Sequence, residues 1–420
     1  MELGAVELGK EHRANEKDFT RERKLDFRTV AILILQKSVK SLSCKLNEFF
    51  GHVEDGATAG AFTQARAKFN SEFFKNLNRR SYAEGWYSDG DYKRYKGYRL
   101  LAVDGTKIRL PDSSSVRNEF GTIKIKNQYE ERDYTGGQGS VMYDVLNECV
   151  IDSEIVPSKT GEIELAKRHF EFCQSGDLVM FDRGYAGYLV FAIMVSQGID
   201  FVCRCSKTAF KVVEEFLASD AKDRIITLTP CDDIRREVAE KGLPSSIQIR
   251  LVKVVLPNGE IEVLATSLLD KKKHPRSDFK NLYNMRWGIE TFDARIKNNL
   301  SLENFSGRTA EAVKQDFYAT MLIANIESEL TGEIDDELEN RTGDNKYQYK
   351  VSKTVSYNSI KDKLFELLMY SKDESDVLIK QIQDLFRKNT VPIRPERSAP
   401  RDFTPRRSLH YQKRLKKIVF

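Results

Sequence analysis

Residues 177–184, DLVMFDRG, and residues 98–105, YRLLAVDG, share one pattern: a short apolar run, then an aspartate, then a glycine within two positions. Short apolar runs bounded by turn residues are typical of strands that are buried on both faces of a sheet. We therefore expect Asp104 and Asp182 to close two buried strands. Because ligands of α/β sheets gather at the carboxyl ends of strands, the two carboxylates are candidates for one site. Each aspartate alone could also do no more than begin a turn.

The sequence around these two runs alternates strands with helices. A hairpin is expected over 137–158 around Asn147, a helix over 161–173, a second helix over 185–198 and a further strand over 200–206. The order is strand, strand, strand, helix, strand, helix, strand. Apolar strands separated by helices predict an α/β fold with a mixed sheet that is covered on both faces.

The composition is that of a soluble globular protein of two or three domains. The chain has 420 residues, of which 40% are hydrophobic and 31% charged. Its longest apolar runs, 30–35 and 189–195, are far shorter than the roughly 20 residues that span a bilayer. No secretory segment is visible, and the six cysteines show no paired framework. We therefore expect reduced thiols in a cytoplasmic protein without a membrane partner.

The pattern divides the chain into five segments. They are an N-terminal helical domain at 1–95, the first part of the α/β core at 96–206, a β-rich insertion at 207–280, a helix and the rest of the core at 281–330, and C-terminal helices with a basic tail at 331–420. Within 281–420 we expect helices at 277–299, 309–330 and 358–388, with an acidic polar connection at 331–347.

The N-terminal segment contains two amphipathic stretches, 28–50 and 58–80. In the second, Phe62, Phe69 and Phe73 form one apolar stripe, and Arg66 and Lys68 lie off it. Two helices of which the second is basic could bind DNA and read its sequence. A helical bundle that serves only dimerisation is equally consistent with this sequence.

The net charge of +5 is unevenly distributed. Residues 386–420 hold eleven Lys or Arg and two acids, a local balance of +9, so the rest of the chain sums to −4. Four prolines in the same segment favour an extended strap over a folded unit. Such a tail could lie along phosphates or could serve only solubility.

One face of the helix expected at 277–299 carries a row of polar side chains. At 100° per residue, Tyr283, Arg286, Glu290 and Lys297 fall within an arc of about 60°. The opposite side is apolar and suited to packing on a sheet; it consists of Ile289, Phe292, Ile296 and Leu300. Glu290 could supply a third acid to the site, although a solvated helix with an i, i+4 ion pair would look the same.

Carboxylates that are held close together repel one another unless a cation lies between them. A hard divalent ion such as Mg²⁺ prefers oxygen ligands. Two strand-end aspartates and a helical glutamate therefore make a candidate metal site.

These motifs resemble the DDE transposases of bacterial insertion sequences, the cut-and-paste group with a Tyr-x2-Arg-x3-Glu-x6-Lys motif. The resemblance covers roughly residues 60–330 and includes the phrases LATSLLD, LYNMRWGIE and LSLENFSGRTAEAVKQDFYATMLIAN. Its central motifs are VDGT at Asp104, FDRGY at Asp182 and the spaced set Tyr283, Arg286, Glu290 and Lys297. It implies a ribonuclease H-like mixed sheet that is interrupted by a β-rich insertion.

The resemblance also implies roles for particular residues. Asp104, Asp182 and Glu290 would be catalytic and would bind two divalent ions, Mg²⁺ or Mn²⁺, for in-line phosphoryl transfer. The side chains implied to contact DNA are Tyr283, Arg286, Lys297, Arg204 and Arg183.

The chain departs from the family in one respect. Some members hold a flipped base with a tryptophan in the insertion, whereas this chain has tryptophan only at 86 and 287. Phe210, Phe216 or Phe279 could stack a base instead, but the missing tryptophan is a departure that argues against cleavage through a DNA hairpin. Cys203 and Cys205 lack a second pair at metal spacing, and the five histidines are scattered, with no triad-like pattern expected among them.

The sequence thus predicts a transposase that binds terminal inverted repeats as a homodimer, cleaves double-stranded DNA and joins the ends to target DNA. Two alternatives stay open. One is a non-catalytic DNA-binding regulator derived from a transposase, and the other is a related nuclease without strand transfer. A glycosidase fits less well, because the basic face around Glu290 suits a polyanion better than a neutral sugar.

Overall fold

The computed structural model describes residues 11–37, 40–126, 131–256, 258–341 and 346–394. The strands are β1 (Arg99–Arg109), β2 (Thr122–Lys126), β3 (Glu131–Asp144), β4 (Cys149–Pro157), β5 (Asp177–Phe181), β6 (Asp200–Cys205), β7 (Asp223–Leu228), β8 (Ile247–Val255), β9 (Ile261–Thr266), β10 (Tyr349–Val351) and β11 (Thr390–Pro392).

The α-helices run through the whole chain between and around these strands. They are α1 (Phe27–Leu35), α2 (Leu42–Phe49), α3 (Ala59–Arg66), α4 (Glu72–Asn78), α5 (Ser114–Phe120), α6 (Glu162–His169), α7 (Tyr188–Ser196), α8 (Lys211–Ala218), α9 (Asp232–Glu240), α10 (Asp278–Asn284), α11 (Trp287–Asn298), α12 (Ala310–Glu339), α13 (Lys353–Met369) and α14 (Lys372–Lys388). A π-helical segment at Arg79–Trp86 continues α4.

The central sheet has the order β2-β3-β1-β5-β6-β9-β8-β7, and β4 pairs with Gly137–Asp144 of β3, on the edge opposite β1. β1, β3 and β4 form an antiparallel meander, and β5 and β6 then run parallel to β1. The helices α6 and α7 provide the two crossovers. This arrangement confirms the predicted α/β class and the ribonuclease H-like mixed sheet. The strand β2 and the helix α5, which lie between β1 and β3, were not predicted.

The core strands are apolar because both faces of the sheet are covered. Leu100 to Val103 in β1 and Leu178 to Phe181 in β5 are completely buried. The apolar residues predicted on the inner side of the 277–299 segment are also buried. The hydrophobic core therefore lies on both sides of the strands that carry the two candidate aspartates.

The segment 207–280 contains more helix than its sequence suggested. Its strands β7, β8 and β9 extend the central sheet beyond β6, with Val202 of β6 opposite Thr266 of β9. The helices α8 and α9 also lie in this segment and were missed. The strands therefore belong to the same sheet as the core, whereas the sequence interpretation was a β appendage.

The prediction of an acidic connection at 331–347 is wrong for its first part, because α12 continues to Glu339. Ile334 and Leu338 extend the apolar face of α12 by two turns and are buried. Their burial explains why the helix persists through acidic sequence: tertiary packing outweighs the charge pattern.

The N-terminal helices are shorter than predicted, since the expected helix at 28–50 is divided into α1 and α2 and that at 58–80 into α3 and α4. Phe62, Phe69 and Phe73 are buried as expected. Arg66, by contrast, is buried and forms an ion pair with Asp316 of α12, with 2.8 Å between Nη2 and Oδ1. Arg66 is therefore not available to contact DNA in this structure.

Three further expectations concern the chain as a whole. The six cysteines are all free thiols. In the described ranges no helix is long and apolar enough to cross a membrane. The basic tail beyond Arg394 lies outside the described residues, so its extended path along DNA stays a prediction.

Candidate active site

The register of β1 and β5 places Asp104 and Asp182 side by side. The two strands are parallel, and their last paired residues are Ala102 and Met180. Two positions further along each strand are Asp104 and Asp182, so the carboxylates leave the sheet at the same level. β1 itself continues to Arg109 along β3, so the expectation that Asp104 closes its strand is wrong. Asp104 lies instead just beyond the last β1 pair with β5.

Asp104 is a half-buried carboxylate next to other acids. Its Oδ1 accepts a hydrogen bond from the backbone N–H of Gly105 at 2.8 Å. Burial raises the pKa of Asp104 to about 6; the Gly105 N–H and the charge of Arg286 oppose this increase, while Glu290 adds to it. Desolvation and like charges are the conditions under which a carboxylate gains most from a bound cation.

Glu290 reaches the same region from α11, but the expected continuous helix at 277–299 is interrupted. α10 ends at Asn284 and α11 begins at Trp287. Between them the backbone bonds change to i to i+3 spacing, as in Arg286 N–H to the Tyr283 carbonyl at 3.1 Å. The turns tighten without a reversal of the chain, so Glu290 still faces the sheet side that carries the aspartates.

Arg286 is enclosed by the site and does not extend into solvent. It is 3% exposed, and its Nη2 donates to Glu290 Oε1 at 2.7 Å. Its guanidinium also lies 5.5 Å from the ring centre of Tyr283. The arginine therefore neutralises Glu290 within the folded chain.

Asp182 is held by two residues, one from a strand and one from a helix. Arg204 of β6 forms an ion pair with it, with 2.8 Å between Nη2 and Oδ1, and also pairs with Glu262 of β9 at 2.7 Å. Tyr283 donates its hydroxyl proton to the Phe181 carbonyl at 3.2 Å, and its oxygen lies 3.5 Å from Asp182 Oδ1. Tyr283 is thus a buried support for Asp182.

Lys297 lies two turns beyond Glu290 on α11. Its Nζ donates to Asp293 Oδ2 at 2.8 Å and also contacts Thr106 Oγ1. Thr106 belongs to the VDGT motif, so Lys297 connects α11 to the strand of Asp104. The ammonium is half-buried and remains accessible from one side.

Three buried donor atoms beside these acids have no hydrogen-bond partner in the described part of the chain. They are Nε of Arg204, Nε of Arg286 and the hydroxyl of Tyr185. Burial raises the pKa of Tyr185 above its usual value, and the nearby carboxylates of Asp104 and Asp182 add to the increase. Buried donors without partners are rare in folded proteins and mark places where a ligand can supply the acceptor. Oxygen atoms of a phosphate would suit these donors.

Two acids at the site were missed in the sequence. Asp293 holds Lys297, and Glu162 at the start of α6 packs against Gly105, where an added Cβ would lie 3.0 Å from the Glu162 Cγ. The i+3 spacing of Asp293 from Glu290 could have indicated the first. Glu162 had no such signal, because it lies 58 positions from Asp104 and only the fold brings the two together.

The structure therefore brings Asp104, Asp182, Glu290, Tyr283 and Arg286 together, with Arg204 and Lys297 at the margins. Arg183 is separate from this set: it begins the 3-10 turn Arg183–Tyr185 and its side chain is exposed. An exposed arginine next to Asp182 is available to a polyanion.

The carboxylate oxygens suit a hard divalent ion by their chemistry. Among the described residues, however, no three His, Cys, Asp or Glu side chains are grouped closely enough to hold a metal ion. Asp182 and Glu290 are occupied by Arg204 and Arg286. The three candidate acids therefore have oxygen ligands of the right kind for the ion, but they are not drawn together around one position, and two of them are paired with arginines.

The chain is similar to known transposases. The family model for the transposase DDE domain matches residues 95–326, more than half of the chain. The transposase InsG of insertion sequence element IS4 from Escherichia coli is 23% identical over 270 residues, which are 63% of this chain and 59% of that protein. The candidate transposase y4zB of Sinorhizobium fredii is 26% identical over 224 residues, or 53% of this chain and 58% of that protein.

Among solved structures, a piggyBac transposase synaptic complex with hairpin DNA is 10% identical, with a TM-score of 0.43, covering 88% of this chain and 77% of that chain. The alignments with the two curated relatives span about three fifths of the relatives' length. The matched range, 95–326, contains the strands of Asp104 and Asp182 and the helix of Glu290. The chain belongs to the family of transposases with a DDE domain.

Proposed function

We propose that this chain is an active DNA transposase that cleaves the ends of an insertion sequence and joins them to target DNA. The observation that carries the proposal is the register of β1 and β5, which sets Asp104 beside Asp182, with Glu290 on the helix that packs over them. The arginines paired with two of these acids and the unsatisfied donors around them support a phosphate ligand.

Asp104, Asp182 and Glu290 would hold two divalent ions, Mg²⁺ or Mn²⁺. When bound, the ions supply an activated water or 3′-hydroxyl and neutralise the charge on the leaving oxygen. The residues of the chain position the DNA: Arg286 and Arg204 release their carboxylates and turn their planar donors to phosphate oxygens. Lys297 offers a single point charge from the other side of Glu290.

The remaining proposals concern partners and place of action. Double-stranded DNA with terminal inverted repeats is the proposed substrate, and a homodimer would bring two ends together. Arg183 would contact DNA from the surface, whereas the buried Tyr283 would act on DNA binding only indirectly, by holding Asp182. We propose the cytoplasm as the compartment, in keeping with six free thiols.

The test uses the purified full chain and duplexes made from the genomic DNA on either side of its gene. With Mg²⁺, the proposal expects a cut at one position near each end and, with a supercoiled plasmid present, a joined product. Nicking without joining would indicate a nuclease without strand transfer. Specific binding that weakens with salt, without cleavage, would indicate a DNA-binding regulator, and either result would overturn the proposal.

A further inference from the structure

A histidine that the sequence left without a partner lies at the centre of a buried hydrogen-bonded chain. The expectation that none of the histidines has a triad-like setting is wrong for His169. Its Nδ1 lies 2.6 Å from Asp152 Oδ2, and its Nε2 lies 2.9 Å from Ser140 Oγ. His169 lies on α6, Asp152 on β4 and Ser140 on β3. Asp152 is 17 positions and Ser140 is 29 positions from His169, so no local sequence spacing could reveal the arrangement.

The chain of contacts continues at both ends. Asp152 Oδ1 accepts two hydrogen bonds from Arg79, at 2.8 Å from Nη2 and 3.1 Å from Nε. At the other end, Ser140 Oγ lies 3.4 Å from the backbone carbonyl oxygen of Asp104. An arginine of the N-terminal helices is thereby connected, through three buried side chains, to the strand position of a candidate catalytic residue.

This Ser-His-Asp arrangement is not built for nucleophilic catalysis. His169 is completely buried, and Ser140 and Asp152 are each 1% exposed. A substrate carbonyl cannot reach a serine in that position, and the hydroxyl faces a peptide carbonyl of the chain itself. The arrangement therefore acts on the peptide next to it.

That peptide is confined from several sides. Ser140 is directly opposite Gly105 in the β1 and β3 pairing, while the β5 pairing of β1 has already ended at Ala102. An added Cβ at Gly105 would lie 2.9 Å from the amide nitrogen of Gln138, so the Gln138 side chain packs directly against this peptide. The same Gly105 N–H bonds to the Asp104 carboxylate. Moving this peptide would therefore move the carboxylate.

We propose that Asp152, His169 and Ser140 form a buried relay that positions the Asp104–Gly105 peptide, and with it the Asp104 carboxylate, for phosphoryl transfer. In this relay His169 donates Nδ1–H to Asp152 and Nε2–H to the Ser140 oxygen, so that the single hydroxyl proton of Ser140 is directed to the Asp104 carbonyl. Outer partners of this kind orient the groups that touch a metal or substrate. The three are positioning residues, and the inference rests on the proposed role of Asp104.

The first test needs neither metal nor DNA. Ser140→Ala removes the hydroxyl next to Asp104, and Ser153→Ala removes one from a serine of similar burial on β4, which is separated from β1 by β3. Hydrogen exchange of the 99–109 segment, followed by mass spectrometry, reports local opening of β1. The relay predicts roughly tenfold faster exchange at 104–106 in Ser140→Ala only. Equal exchange in the two variants would overturn it.

The second test separates binding from the chemical step on a duplex that the wild type cleaves. Small displacements of a catalytic group can reduce rates by up to about 100-fold. Ser140→Ala should lower the single-turnover rate constant roughly tenfold with an unchanged Kd for the duplex. His169→Gln, which can keep a donor toward Ser140, should retain more of the rate than His169→Ala.

Urea unfolding of each variant provides the control for stability. The relay would be overturned if the single-turnover rate constants of the variants correlated only with their free energies of unfolding, and if Ser153→Ala cleaved as slowly as Ser140→Ala. If the wild type cleaves no flanking duplex, the proposed function fails while the exchange experiment still decides the relay.

Discussion

Arg204 forms an ion pair with Asp182, with 2.8 Å between Nη2 and Oδ1, and its second terminal nitrogen pairs with Glu262. Arg204 therefore pairs with a carboxylate that the proposed metal ion would need as a ligand, so the two cations would compete for Asp182. Arg286 stands in the same relation to Glu290. Two of the three candidate acids, Asp182 and Glu290, are thus paired with arginines, and phosphate oxygens are acceptors that suit the same guanidinium groups.

Replacing Arg204 by Ala should strengthen the binding of Mn²⁺ to the DNA-free protein. The ion pair is partly exposed, so its loss changes the competition by about 1 kcal/mol, or roughly fivefold in Kd. Electron paramagnetic resonance of free Mn²⁺ measures this directly. Arg236→Ala, which removes an exposed arginine paired with Glu240, is the control. Mn²⁺ binding that is unchanged or weaker in Arg204→Ala would contradict competition by the arginine.

Removing the residues after Arg394 should weaken DNA binding and reduce its salt dependence. The cut leaves the pairing of β10 and β11 intact, because β11 ends at Pro392. Each phosphate contact that is lost lowers the slope of log Kd against log salt by roughly 0.9. Fluorescence anisotropy on one duplex at several salt concentrations gives both quantities. An unchanged slope would mean that the tail serves only solubility.

Arg66→Met should destabilise the fold strongly, because the carboxylate of Asp316, which is completely buried, would lose its cation. Breaking a buried ion pair from one side costs about 3 to 5 kcal/mol. Urea unfolding provides the free energy. Lys68→Ala, two residues away and half-exposed, should change it by less than about 0.5 kcal/mol. A loss in Arg66→Met as small as in Lys68→Ala would contradict the assigned structural role.

Lys37 should make stability depend on pH. Burial lowers its pKa to about 7, and its Nζ donates to the carbonyls of Ser301 and Leu302 at 3.1 and 3.0 Å. The unfolded chain keeps the ordinary pKa near 10.5 and so binds more protons between pH 7 and 10.5. Stability therefore rises with pH across that window, by an amount on the order of a few kcal/mol.

Comparison with Lys37→Met isolates this contribution, since other groups titrate alike in both proteins. The free energy of unfolding from urea titrations at pH 6, 7, 8 and 9 should rise more steeply in the wild type. Parallel curves would show that the ammonium is not desolvated in the folded chain.

The parts of the fold that the sequence predicted are those with local patterns. The runs before Asp104 and Asp182 are apolar because their strands are covered on both faces. These two short runs were therefore enough to predict two buried strands, and with them two aspartates at the same edge of the sheet. The spacing of Glu290 from Tyr283 and Arg286 survived a change in helix geometry at Met285, since the tightened turns rotate the side chains by little. Gly288, whose N–H bonds to the Met285 carbonyl at 2.9 Å, lies within that change.

The parts that could not be predicted depend on long-range contacts. The burial of Arg66 depends on Asp316, 250 positions away. α12 extends through acidic residues because Ile334 is buried against the rest of the fold. Glu162 contacts Gly105 only because α6 packs back onto the sheet. The identity of a basic or acidic residue does not show whether its side chain is exposed to solvent or paired with another residue inside the fold.

Asp104, Asp182 and Glu290 are together proposed to perform metal-dependent DNA cleavage, and the other proposals depend on this one. The most direct measurement is the single-turnover cleavage of a flanking duplex by Asp182→Asn, with Asp200→Asn as the matched control. Asp200 begins the neighbouring strand β6 at the opposite end of the sheet and bonds to Ser267 at 2.7 Å. We expect Asp182→Asn to lose at least about 1000-fold in rate while duplex binding and folding persist, and Asp200→Asn to cleave like the wild type. Normal cleavage by Asp182→Asn would show that Asp182 is not a catalytic residue.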